Sequence, residues 1–176
     1  MRQSSVRRGR SRSGRGFTFI EIMVVVSLIG LTALAIYPSI NNIMRTRTFD
    51  NAAKDILTTM QQTKHLAVRA KISHRIRFLQ RENIWRYVVE HETADGNWVR
   101  VPGQIEKTVP PEFAATVSLP AQSVTFSALG YVTDFTVNQN TVTLQSERLT
   151  GALQDDLRVV SVYAGGLVRY ARDRSF

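Results

Sequence analysis

The run from Phe17 to Tyr37, FTFIEIMVVVSLIGLTALAIY, constrains this chain more than any other feature. Its 21 residues span ~31 Å as a helix, the hydrocarbon thickness of a bilayer. A secretory h-region would be shorter and would end in a small-x-small cleavage site. The run therefore predicts a transmembrane helix over residues 17–37. Arginines crowd its N-terminal side, and positive charge stays cytoplasmic, so the N-terminus is expected inside and the C-terminus outside.

Charge supports the same division. The 176-residue chain carries a net +9, which at first suggests a nucleic-acid binder. Residues 1–16 hold six arginines (Arg2, Arg7, Arg8, Arg10, Arg12 and Arg15) and no acid, and without them 17 basic face 14 acidic residues. Most of the excess thus belongs to a leader too rich in Arg, Ser and Gly to bury a core. Cysteine is absent, which excludes disulfides and thiolate chemistry.

Glu21 is out of place in the apolar run. Nine Leu, Ile and Val residues between Ile22 and Ile36 contribute roughly −3 to −5 kcal/mol of insertion free energy. A carboxylate costs about 3 kcal/mol at a helix centre and less near its end. Insertion survives, and two readings of the acid stay open. It either snorkels where the span begins or awaits a cation.

Beyond Pro38, expected to bend or loosen the helix, the pattern turns amphipathic over 38–72. Phe49, Ala53, Ile56, Met60, Thr63, Ala67 and Ala70 form an apolar stripe. Lys54, Thr58, Gln61, His65 and Arg69 form the wet one. From His74 the period falls to two, and residues 73–176 read as a β-rich head. Strands are predicted around Ile76–Phe78, Trp85–Val89, Trp98–Val101, Ala115–Leu119, Ser123–Ser127, Thr141–Gln145, Leu157–Tyr163 and Leu167–Tyr170. Asp95-Gly96 and Gly165-Gly166 mark hairpin turns. The fold class is α+β: a long helix, half transmembrane and half amphipathic, packed on an antiparallel sheet.

Catalytic motifs are missing. His65, His74 and His91 lie in no HExxH, no serine sits in a Gly-x-Ser-x-Gly turn, and Asp155-Asp156 offers too few oxygens for Ca²⁺. The chain is read as a non-enzyme with no cofactor and no metal.

Gly16 before Phe17, Glu21 five residues beyond that bond, and the unbroken apolar helix resemble the class III signal of type IV prepilins and type II secretion pseudopilins. The resemblance implies cleavage of the Gly16–Phe17 bond by a prepilin peptidase, with methylation of the new amine at Phe17. It implies pairing of Glu21 with a neighbouring subunit's amine during filament assembly. Partners would be that peptidase, other pilins or pseudopilins, and an inner-membrane assembly platform. The chain would be a single-pass protein with a periplasmic head that later enters a filament.

The segments QQTKHLAVRAKISHRIRF, VTFSALGYVTD, TVTLQS and RVVSVYAGGLVRY resemble the H-type minor pseudopilin and FimT-like branch. DNA-binding FimT-like proteins end in Gly-Arg-x-Arg, whereas this chain has Gly166-Leu167-Val168-Arg169. DNA is therefore the rival partner, with Arg75, Arg77 and Arg169 as its candidate contacts. Secretion or pilus assembly is preferred.

Overall fold

A computed structural model describes residues 17–151 and 154–175, with side chains omitted at 35–42. The chain divides into two compact units, Met1–Met44 and Arg45–Phe176. The leader and Gly16 lie outside the described residues. Helix α1, Phe19–Ala70, continues through Pro38 without interruption. It stops at Ala70 because Lys71 turns left-handed at φ 57°, the geometry that closes many helices. Ala70, expected on the buried stripe, is accordingly exposed.

In the second unit the stripe is otherwise as the periodicity predicts. Phe49, Ala53, Ile56, Met60, Thr63 and Ala67 are buried. Lys54, Thr58, Gln61, His65 and Arg69 face solvent. Thr63 hides its hydroxyl by donating to Thr59 O at 2.7 Å, so the stripe stays free of unpaired polar groups.

The single expected sheet is in fact two. The first contains β1 (His74–Arg81), β2 (Ile84–Glu92), β3 (Trp98–Arg100), β4 (Lys107–Thr108) and β6 (Ser123–Phe126). β1 lies between β2 and β6, while β3 and β4 pair with opposite ends of β2. The second sheet runs β5 (Ala114–Ser118), β7 (Thr141–Gln145), β8 (Leu157–Val162), β9 (Val168–Asp173). All pairings are antiparallel. A short helix α2, Glu147–Gly151, follows β7. Ile76, Phe78, Val124 and Phe126 of the first sheet, with Val142, Leu144, Val160 and Val162 of the second, share one core with the α1 stripe.

Two acids on α1 fasten the sheets to the helix. Asp50 accepts from Arg158 Nε at 2.6 Å, Arg172 Nη2 at 2.5 Å and the Tyr170 hydroxyl at 3.2 Å, all from the second sheet. Arg158 is buried, donates also to the carbonyls of Asp155 and Leu157, and lies over the Phe49 ring. Asp55 accepts from the Tyr87 hydroxyl and from Lys107 Nζ, each at 2.6 Å, both from the first sheet. Burial and the adjacent Asp55 carboxylate push the Tyr87 phenol well above its ordinary value.

The sheets also meet where the Gly130 turn touches the β8–β9 hairpin. Gly166 has φ +73°, and a Cβ there would lie 1.9 Å from the Gly130 carbonyl oxygen. Lys64 Nζ donates to the Gly166 carbonyl at 3.0 Å. Gly166→Ala is expected to cost at least about 2 kcal/mol, from left-handed backbone strain plus the clash. The shift in urea midpoint at constant m-value measures it.

Candidate functional site

The described part of the N-terminal region begins with Phe17 and Thr18, just ahead of α1. Glu21 N–H donates to Thr18 Oγ1 at 3.3 Å, and Thr18 N–H donates to Glu21 Oε2 at 3.4 Å. These reciprocal bonds form a capping box, which satisfies two helix-end donors. The carboxylate also lies in the first turn, where the helix dipole favours an anion. The Thr-x-x-Glu spacing is present in the sequence, but the apolar surroundings of Glu21 make it look like an isolated acid. Thr18 is the capping partner of Glu21 that sequence reasoning missed.

Past this cap, every described side chain from Phe19 to Leu34 is exposed. Ile20, Val26, Ile29, Leu31 and Leu34 each exceed 60 % exposure, so the helix presents apolar surface on all sides. The polar side chains within it are internally satisfied. Ser27 donates to Met23 O at 2.8 Å, and Thr32 to Ile29 O at 2.9 Å. A helix apolar all round requires burial in protein or lipid. Among the described residues, no helix is long and apolar enough to cross a membrane. The expected span continues to Tyr37, into positions whose side chains are not described.

Several arginines of the head, Arg75 and Arg77 among them, are committed to internal ion pairs. Arg75 Nε and Arg77 Nη2 each reach buried Glu90 at 2.7 Å, and Arg75 also stacks on Trp98 at 4.3 Å. Arg86 and Arg100 share Glu106, and Arg172 meets Asp50. Arg169 is exposed, forms no ion pair among the described residues, and lies on the other sheet from Arg75 and Arg77. Two of the three candidate DNA contacts thus already neutralise a carboxylate.

His74 and Asp156 also have structural partners. His74 pairs across β1 and β2 with His91, ring centroids 5.8 Å apart, and burial holds its imidazole below the ordinary 6.5. Asp156 is buried and accepts from Ser175 N at 2.8 Å, Ser175 Oγ, Thr150 Oγ1 and Gln145 Nε2. Bonds from the Ser175 and Thr150 hydroxyls and the Ser175 amide hold its carboxyl far below the usual range. Asp156 therefore ties the chain end to α2.

A family described as "Prokaryotic N-terminal methylation motif" matches residues 11–37. Comparison with curated protein sequences returns no match. The minor pseudopilin EpsH from the Type 2 Secretion System of Vibrio cholerae is similar in structure, with TM-score 0.52 and 16 % identity over 70 % of this chain and 95 % of that one. The type IV minor pilin FimU of Pseudomonas aeruginosa gives TM-score 0.49 and 17 % identity over 69 % of this chain and 87 % of that one. At such identities the EpsH likeness speaks for the fold. The chain carries a prokaryotic N-terminal methylation motif joined to a pilin-like fold.

Proposed function

We propose that this protein is a minor pilin or pseudopilin, a structural subunit of a type IV pilus or type II secretion filament. The observation that carries the reading is the methylation motif lying on a helix that is apolar on every side and capped by Glu21. Before assembly that surface would be covered by the inner membrane, with the head in the periplasm. In the filament it would be covered by the helices of neighbouring subunits. Prepilin peptidase would cut between Gly16 and Phe17, and the released amine would be methylated. Methylation keeps the amine cationic, so Glu21 of an adjoining subunit can pair with it in a low-dielectric bundle.

Mass spectrometry of protein from membranes tests processing directly. The expected N-terminus is methylated Phe17, and Gly16→Trp should abolish cleavage while leaving membrane insertion intact. Recovery of the wild-type chain only as the Met1 form, beside an active peptidase, would overturn the reading. The DNA-binding alternative draws less support because Arg75 and Arg77 balance Glu90, and Leu167 stands at the position of the expected arginine.

A further inference from the structure

The β1–β2 hairpin brings together two histidines that lie in no metal motif of the sequence. His74 faces His91 across the strands, with ring centroids 5.8 Å apart. Glu92 N–H donates to Ser73 O, which makes the adjacent pair, His74 and His91, a non-hydrogen-bonded one, where side chains stand closest. His74 Nδ1 lies 3.0 Å from the Ile72 carbonyl oxygen. A carbonyl only accepts, so Nδ1 carries the proton and the neutral ring keeps its lone pair on Nε2. Metal-bound imidazoles are usually held by such a contact. Burial favours the neutral form of His74. His74 is buried and His91 half-buried, but Val99, opposite His91 on β3, is 48 % exposed, so the β3 side of the pair meets solvent.

We propose that His74 and His91 form a binding site for a divalent transition-metal ion of the zinc type. Two imidazoles on one metal, with nitrogens at about 2.0–2.1 Å, place their ring centroids about 5–6 Å apart, as these are. Imidazole suits zinc, copper and nickel, whereas calcium and magnesium demand oxygen ligands. No third histidine or carboxylate joins the pair among the described residues. Water therefore completes the coordination, and binding is weaker than at a closed structural site. The ion ties β1 to β2 just after α1 ends. The pair lies outside the methylation motif, so the proposal does not depend on the filament reading.

Titration of the full-length protein in detergent micelles with Zn²⁺ alone tests the site by calorimetry. One ion per chain should bind saturably, and His91→Ala should weaken binding at least about tenfold. His65→Ala removes the remaining histidine, exposed on α1, and should leave affinity unchanged. Saturating Zn²⁺ should raise the urea midpoint of the wild-type chain but not that of His91→Ala, and Ca²⁺ should raise neither. Absence of saturable binding, wild-type affinity in His91→Ala, or equal weakening by His65→Ala would overturn the proposal.

Discussion

Asp50→Asn is expected to remove about 3–5 kcal/mol of stability, because it leaves the buried Arg158 guanidinium without its counterion. Against a typical total of about 5–15 kcal/mol, that is a large fraction. The two carbonyls that Arg158 also meets favour the lower end of the range. Asp55→Asn makes the natural comparison. Its side chain is 47 % exposed in its pair with Lys107, so the loss there should be only about 1 kcal/mol. Urea unfolding at neutral pH separates the two, and equal midpoints would refute the assignment.

The same residues set the response to acid. Burial alone would raise the Asp50 carboxyl, but the hydrogen bond and charge of Arg158, with Arg172, outweigh it and hold the value below 3.8. Its contribution is therefore complete above the unfolded carboxylate value and disappears as pH falls through the folded one. Asp156 behaves in the same sense. His74 acts earlier. Because its folded value lies below 6.5, the unfolded chain takes up the proton first, and stability begins to decline just under that pH. Stability measured by urea unfolding should thus fall over two pH ranges, and Asp50→Asn should flatten the more acidic one.

Glu21→Leu is expected to nearly abolish incorporation into filaments while sparing insertion and processing. The substitution removes a polar group from an apolar segment, so insertion should improve slightly. What disappears is the carboxylate available to a neighbour's amine. Glu21 is also half of the capping box with Thr18, so a cap-only variant is needed. Thr18→Val removes the hydroxyl acceptor at a cost of about 1 kcal/mol but retains the charge. If pairing is what matters, Thr18→Val subunits should still co-purify with filaments and Glu21→Leu subunits should not. Equal incorporation of wild-type and Glu21→Leu subunits would exclude the pairing role.

Elements with a simple hydrophobic period are legible in the amino-acid sequence itself. β7 begins and ends at Thr141 and Gln145 as expected, and β8 differs by one residue. Each alternates apolar and polar side chains, a signal local to the strand. The division into two sheets is not legible, since alternation reports which residues face inward but not which strands pair. β4 has only two residues, too short for any period. The β1–β2 turn is hidden because Glu82 and Asn83 adopt positive φ without glycine. Asp50 and Asp55 look like ordinary surface acids of an amphipathic helix. The partners of Asp50 lie 108 and 122 residues further along the chain, beyond the reach of local pattern. In the N-terminal region the methylation-motif match over residues 11–37 agrees with the pattern, and the local cap by Thr18 is what the pattern does not announce.

The separate attachments at Asp50 and Asp55 have a mechanical consequence. A tensile load entering the head along α1 would reach each sheet through its own clasp, little more than one helical turn apart. The two clasps act in parallel, so failure of one need not transfer the whole force to a single peptide segment. The Asp50 clasp is better shielded from water than the Asp55 clasp, and the first sheet should accordingly be the one that peels away first under shear.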